Sequence, residues 1–166
     1  MNRANENPVV QPVFKPLDLG AIKPLGWLRA ELELEAQGLA GNMFDFYRFV
    51  NDSGFLGGST EYSTLHESSP YWFNGLVPLA FGLGDARIES QVRYYLDYVL
   101  DAQQSDGWIG WETTQATRGL WARTRILLGL TVSFFVSSNP LRHRDLWSVI
   151  GLAICRSRPD PDGEDS

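Results

Sequence analysis

Cysteine and histidine are scarce in this chain. Of its 166 residues, one is a cysteine, Cys155, and two are histidines, His66 and His143. A single thiol cannot close an internal disulfide, and these side chains do not have the spacing of a zinc site, which takes three or four protein ligands. We therefore expect no disulfide framework, no metal site and no cofactor held by this chain, and we interpret both histidines as ordinary structural residues.

Positive charge is also in deficit. The chain has 14 Lys and Arg residues against 20 Asp and Glu residues, which gives a formal net charge of -6 and a pI near 4.8. Binding of nucleic acid requires a basic stripe that neutralises phosphates, and the sequence has none. We expect no nucleic-acid partner and favour neutral or cationic ligands.

Long hydrophobic runs are absent as well. The longest apolar run, residues 126–136, is interrupted by Gly129, Thr131 and Ser133, whereas a membrane span needs ~20 apolar residues. Residues 1–16 lack the apolar core of a secretory signal. We expect no membrane partner. The sequence does not assign a cellular compartment, and we take the cytoplasm as the default expectation.

Aromatic residues, in contrast, are abundant. They make up 13% of a chain that is 43% hydrophobic, which is enough for one domain with a real core. Tryptophan recurs at Trp27, Trp72, Trp108, Trp111, Trp121 and Trp147. Such rings offer flat apolar faces to the C–H side of a sugar, and they also fill ordinary cores. Composition alone leaves both interpretations open.

The first third of the chain predicts an arm, helices and a loop. Prolines favour an extended arm over residues 1–16. A helix from Pro24 would end at Gly38 and Gly41. Its predicted buried face holds Trp27, Leu28, Leu32, Ala36 and Leu39. Residues 42–50 are dense in apolar side chains and predict a short buried helix, and residues 51–66 are rich in Gly, Ser and Thr and predict a loop.

Residues 67–110 predict a helical hairpin. The first helix starts near Ser69 or Pro70, with Ser68 or Ser69 as its cap. It is interrupted by Pro78 and is apolar on nearly every side, which indicates burial. Asp85 is the predicted N-cap of an amphipathic second helix. Its apolar positions are Ile88, Val92, Tyr95, Leu96, Val99 and Ala102. A tight loop around Trp108 closes the hairpin, and a further helix begins near Leu120. One hairpin cannot bury both its faces, so repeated hairpins, as in solenoids and toroids, are indicated.

Four segments in order resemble the catalytic domain of six-hairpin glycosidases, especially glycoside hydrolase family 127, the β-L-arabinofuranosidase-like family. They are FKPLDLGAIKPLGWLRAELELEAQGLAG, ESSPYWFNGLVPLAFGLGD, YLDYVLDAQQSDGWIG and LWARTRILLGL, and together they span roughly residues 14–130. The resemblance implies an all-α fold, a partial (α/α)6 toroid of helical hairpins over residues 17–131. It also implies an inner pocket from which a terminal sugar is released with retention.

The catalytic chemistry that the resemblance implies belongs to later hairpins. Characterised members use a zinc-bound cysteine nucleophile and a glutamate acid/base, and nothing in this sequence matches that zinc cluster. Cys155 lies outside the resembling region and is not assigned as a nucleophile, so no catalytic residue is predicted. Residues 132–166 shift in composition to Phe, Ser and Arg. We interpret them as an atypical tail with a disordered end, such as translated intron or shifted-frame sequence on a truncated product.

Seven residues are the candidate sugar contacts, and each has an ordinary structural alternative. They are Glu67, Tyr71, Trp72, Asn74, Gln104, Asp106 and Trp108. For Glu67 the alternative is stabilisation of the N-terminal dipole of a helix, and for Asp106 the turn interpretation is favoured over the sugar contact. Trp72 and Trp108 would equally be core residues. If two carboxylates act across a pocket at ~5 to 9.5 Å, Glu67 with Asp106 or Glu112 is the candidate pair.

Three functional hypotheses follow. The first is a glycoside hydrolase-like, carbohydrate-active protein that is truncated and without a complete catalytic half. The second is a non-catalytic helical protein that binds carbohydrate or another partner. The third is a gene product with no stable fold. In a partial toroid, inner helices that normally face neighbours would expose apolar surface, which also predicts self-association.

Overall fold

The computed structural model describes residues 13–14, 17–114 and 117–134. Within these ranges the chain forms only helices, turns and loops, so the all-α prediction is confirmed. The helices are α1 (Gly26–Gln37), α2 (Leu39–Phe46), α3 (Arg48–Asn51), α4 (Ser68–Leu83), α5 (Ala86–Asp101) and α6 (Leu120–Phe134), with a 3-10 turn at Gly54–Leu56. Most of the predicted arm, and the predicted tail from residue 135, lie outside the described residues.

Helices α4 and α5 form the predicted hairpin. Gly84, in the left-handed region with φ of 71°, ends α4, and its N–H donates to the carbonyl of Ala80 across 2.8 Å. Asp85 is the predicted N-cap of α5: its Oδ1 accepts from the N–H groups of Arg87 at 2.9 Å and Ile88 at 3.2 Å. The predicted cap at Asp85 is confirmed, and both helix ends depend on local contacts.

The start of α4 differs from the prediction. The helix begins at Ser68, and neither Ser68 nor Ser69 caps it. Ser69 is instead buried, where its hydroxyl lies 2.8 Å from that of Ser53 and 3.1 Å from that of Tyr95. The buried polar contacts hold Ser69 inside the core, so it is not available at the helix end.

Helix α4 has one exposed side. Trp72, Phe73, Leu76, Val77, Leu79 and Ala80 are buried. Tyr71, Gly75 and Pro78, spaced by one turn each, are exposed. The prediction of burial on nearly every side was therefore wrong along this stripe. Helix α5 buries Ile88, Val92, Tyr95, Leu96 and Val99 as predicted, while Ala102 lies beyond its end and is exposed.

Helix α6 packs beside α4 and runs in the same direction. Trp121, near the start of α6, hydrogen-bonds Glu67 at the start of α4. Farther along, a Cβ at Gly129 would lie 2.6 Å from the ring of Phe73. Residues near the start of α4 contact residues near the start of α6, and later residues contact later ones, so α4 and α6 are parallel. The short turn at Gly84 makes α5 antiparallel to α4. The close approach at Gly129 requires glycine. The helix predicted from about Leu120 is confirmed and continues through position 132.

Helix α1 corrects the N-terminal prediction. Of its predicted buried face, only Ala36 is buried, while Trp27 is 78% exposed. Leu28 and Leu39 are also exposed, and Leu32 is half-buried. The chain breaks at Gly38, so Leu39 starts α2 and cannot continue the face of α1. Gly41 does not stop a helix; it lies buried inside α2.

The segment predicted as one short buried helix, residues 42–50, is divided between α2 and α3. Val50 is fully buried, but Phe46 is 56% exposed. Met43, Phe44, Tyr47 and Phe49 are half-buried. The predicted loop after it is confirmed from Asp52 onwards, apart from the 3-10 turn.

Candidate functional site

The seven predicted sugar contacts lie in two separate groups. Glu67 and Tyr71 lie at the N-terminal end of α4, where they meet Trp121 and Arg125 of α6. We call these four residues the α4–α6 face. Trp121 Nε1 donates to Glu67 Oε2 across 2.5 Å. The Arg125 guanidinium lies 4.7 Å from the ring centroid of Trp121 and 5.2 Å from that of Tyr71.

Aromatic surface is available on the α4–α6 face. Tyr71 and Trp121 are each 45% exposed. A guanidinium within ~6 Å of a ring centroid is attracted by the ring quadrupole. Arg125 therefore links the Trp121 ring on its own helix, α6, to the Tyr71 ring on α4. The result is a pair of partly exposed rings with a carboxylate and a cation between them.

A groove of about 680 Å³ adjoins the α4–α6 face. It lies between α4 and the α1–α2 pair, and Tyr71 borders both features. Its lining includes Glu35, Leu39, Met43, Ser68, Tyr71, Trp72, Gly75, Leu76 and Leu79. The volume is in the usual range for small-ligand sites, and a mainly apolar wall with a few polar groups is their usual chemistry.

Trp72 and Asn74 contribute less to this surface. Trp72 is 7% exposed, donates its Nε1–H to the carbonyl of Ala40 across 2.9 Å, and stacks on Phe44 with centroids 5.7 Å apart. Only part of the Trp72 ring reaches the groove wall, so most of it belongs to the core. Asn74 is half-buried on the side of α4 that packs against Gly129 of α6.

Gln104, Asp106 and Trp108 form the second group, in the loop after α5. Arg118 donates through Nη1 to Asp106 Oδ2 at 2.6 Å and through Nη2 to Gln104 Oε1 at 2.9 Å. Gln104 Nε2 donates to the carbonyl of Gly110 at 2.7 Å. The hydrogen bond from Arg118 is the main cause that lowers the pKa of Asp106. These contacts close the loop, which is the structural alternative considered for Asp106.

Trp108 is held in the same network. The guanidiniums of Arg118 and Arg123 lie 4.8 Å and 4.6 Å from its ring centroid. Its Nε1 donates to Glu112 Oε2 at 3.3 Å. Glu112 also pairs with Arg123, and both side chains are almost fully buried. Burial lowers the pKa of Arg123, and the Glu112 charge opposes that shift.

These contacts show which partner each acid of the two candidate carboxylate pairs binds. Asp106 is bonded to Arg118, and Glu112 is 7% exposed and paired with Arg123. Glu67 accepts from Trp121 in the other group. Both acids proposed as its partners are therefore engaged by arginines that close the loop.

A chain of polar side chains, most of them buried, includes Ser69 of α4. Glu61 accepts from Ser53, which contacts Ser69, which in turn contacts Tyr95. Burial raises the pKa of Tyr95 well above its usual value. His66 has a positive φ of 52° and its Nδ1 lies 3.8 Å from Glu61 Oε1. Among the described residues, no group of three or more histidine, cysteine or acidic side chains is arranged to hold a metal ion.

Trp121 and Arg125 are the residues that sequence reasoning missed. A signal was present, because Trp121 and Arg125 are spaced by four residues in a helix, as are Glu67 and Tyr71 at the start of α4. Residues at that spacing share one face. Pairing the two faces required knowing that α4 and α6 are parallel neighbours.

No family model, no curated protein and no solved structure matches this chain. The resemblance to six-hairpin glycosidases therefore stays a prediction. Within the described residues, none of the helices has the length and apolar character that crossing a membrane requires.

Proposed function

We propose that this chain is a carbohydrate-binding helical protein related to six-hairpin glycosidases, and that it binds a saccharide on the α4–α6 face and the adjoining groove. The observation that carries the proposal is the pair of partly exposed rings, Tyr71 and Trp121, fixed by Arg125 on neighbouring helices. Aromatic rings supply apolar area for the C–H face of a sugar, and Glu67 supplies a hydroxyl acceptor beside them.

The helix arrangement supports the toroid part of the proposal. Helix α4 is mostly apolar, and its neighbour α6 is parallel to it, while the amphipathic α5 is antiparallel. Repeated helical hairpins produce this alternation, because each hairpin presents its first helix to the same side. In the proposed (α/α)6 arrangement, α4 and α6 are inner helices and α5 is an outer helix.

The ion pairing of the candidate acidic residues favours saccharide binding over hydrolysis as the function. Asp106 and Glu112, the two acids that could act with Glu67, form ion pairs with arginines. Glycoside hydrolysis by a pair of acids needs two carboxylates that face the same bond. We therefore place the saccharide-binding hypothesis first, and the truncated hydrolase, acting on β-L-arabinofuranosides, second.

The test is a binding titration with a matched control. Arabinan- and galactan-type oligosaccharides are titrated against the purified chain by isothermal calorimetry, with Trp121→Ala as the test variant. Tryptophan is enriched among the residues that contribute most to binding, so we expect affinity to fall about tenfold or more. Trp27→Ala, which removes a ring that is 78% exposed on α1, should leave affinity unchanged.

Three results would count against this assignment. Absence of saccharide binding by the folded wild-type chain would overturn it, as would equal losses in the Trp121 and Trp27 variants. Turnover of an aryl arabinofuranoside by the wild-type chain would replace the binding assignment with the hydrolase.

Exposed apolar residues on α1 also support self-association, in which the partner is a second copy of this chain. Trp27 and Leu34 on α1 are 78% and 63% exposed, and exposed apolar groups favour contact with another molecule. Sedimentation velocity should show a concentration-dependent rise in mass that Leu34→Ser reduces. A monomer at all concentrations would contradict this partner.

A further inference from the structure

Arg125 differs from the other basic side chains that the structure describes. Arg29, Arg48, Arg93, Arg118 and Arg123 each pair with a carboxylate. Lys23 and Arg87 donate to backbone carbonyls. Arg125 makes neither kind of contact within the described part of the chain, and its Nε is buried without a hydrogen-bond partner.

The two rings fix the position of this cation. The Arg125 guanidinium lies 4.7 Å from the Trp121 ring centroid and 5.2 Å from the Tyr71 ring centroid. A guanidinium held against ring faces keeps its N–H donors in a planar fork, and that fork matches the two oxygens of a carboxylate. The two rings thus hold the cation in place before a ligand binds, which reduces the ordering cost of binding.

Glu67 does not neutralise the charge of Arg125. The Glu67 carboxylate accepts from Trp121 Nε1 rather than pairing with Arg125. Within the described residues no carboxylate pairs with Arg125, so its guanidinium keeps its donors for another acceptor. Half-exposed rings on both sides place that acceptor where a bound sugar would lie.

We infer that the saccharide recognised on the α4–α6 face is acidic, a uronic acid whose carboxylate pairs with Arg125 while its ring packs on Trp121 or Tyr71. This inference rests on the proposed carbohydrate-binding function and names its substrate class. It also explains how a chain of net charge -6 binds an anion: recognition depends on one local cation, so it weakens as salt screens that contact.

The experiment compares one oligosaccharide in two charge states. Oligogalacturonate and its fully methyl-esterified form are titrated against the intact chain at low and high salt. We expect the acidic form to bind about tenfold more tightly at low salt, because a charge-assisted bidentate contact is lost in the ester. Added salt should reduce that preference.

Three variants separate the role of Arg125 from general folding effects. Arg125→Gln should bring the two affinities within about twofold, and Arg125→Lys should retain part of the preference because it keeps charge without the fork. Arg93→Gln is the control, since Arg93 is exposed on α5 and pairs with Glu89. If Arg125→Gln loses its helical circular dichroism, Arg125→Lys alone decides the test.

The outcomes distinguish this inference from the proposed function. Equal affinity for both forms overturns the acidic specificity and leaves carbohydrate binding intact. An acid preference that survives in Arg125→Gln, or in Arg125→Lys without any reduction, also overturns it. Failure to bind either form, together with failure to bind neutral arabinan and galactan, overturns both proposals.

Discussion

Trp121 donates its indole N–H to the carboxylate of Glu67 across 2.5 Å, although 54 residues separate the two along the chain. The contact joins the N-terminal ends of α4 and α6. One turn further, Arg125 reaches over Tyr71. These paired contacts set the parallel alignment of the two helices, and the same residues form the candidate saccharide surface.

A double-mutant cycle should detect the Glu67–Trp121 contact in the absence of any ligand. Glu67→Gln and Trp121→Phe, alone and combined, are compared by urea unfolding. Because the acceptor is charged but the site is half-exposed, we expect a coupling energy of about 1 kcal/mol. The exposed pair Arg29–Glu33 serves as reference, with about 0.3–0.5 kcal/mol. Strict additivity at Glu67 and Trp121 would contradict the contact.

The Glu112–Arg123 pair should be a large stability determinant. Their side chains are 6% and 7% exposed, and Arg123 also donates to the carbonyl of Ile109 across 2.9 Å. Glu112→Gln leaves a buried guanidinium without its counter-charge, which costs about 3–5 kcal/mol in the free energy of unfolding. The control Glu33→Gln, in an exposed pair, should cost below about 0.5 kcal/mol. Similar losses in both variants would refute the buried pair.

Tyr95 should make the fold sensitive to alkali. Burial raises the pKa of this phenol above its ordinary value of 10.0, and Ser69 opposes the shift. The unfolded chain releases the phenol proton at about pH 10, while the folded chain retains it. The stabilisation is therefore fully present below pH 10 and falls by about 1.4 kcal/mol per pH unit above it.

Tyr95→Phe should remove this part of the pH dependence, whereas Tyr62→Phe, at an exposed ring, should not. Urea unfolding at several alkaline pH values measures both. Ultraviolet difference spectra should show the phenolate of Tyr95 only when the chain unfolds. A pH profile unchanged in Tyr95→Phe would argue against the buried phenol.

The two ends of α5 should respond oppositely to removal of an aspartate. Asp85→Ala removes the oxygen that accepts from the N–H groups of Arg87 and Ile88, at a cost of about 1 kcal/mol. Asp101 is the last residue of the helix and is exposed, where a negative charge opposes the dipole. Asp101→Ala should therefore be neutral or stabilising by about 0.3 kcal/mol. Thermal unfolding of both variants checks the signs, and equal destabilisation would contradict the assignment of Asp85 as the cap.

The sequence by itself determined the α4–α5 hairpin, including the cap at Asp85 and the buried positions of α5 from Ile88 to Val99. Each of these depends on contacts within about one helical turn, so the residue spacing contains the information. The same local rules failed at Ser69 and on α1. Ser69 is buried because it contacts Ser53 and Tyr95, which are distant in the sequence. The apolar face of α1 is mostly exposed because no described element covers it.

Only the tertiary structure decided which aromatic residues are available to a ligand. The sequence indicated Trp72 and Trp108 as candidate contacts, but Trp72 packs on Phe44 and Trp108 lies against two arginines. Trp121, which the sequence did not single out, keeps a partly exposed ring beside Arg125. Whether a ring is covered depends on groups that are distant in the chain, and their positions follow from the parallel packing of α4 and α6. Residue type sets what a ring can bind, and packing sets whether the ring is free to bind it.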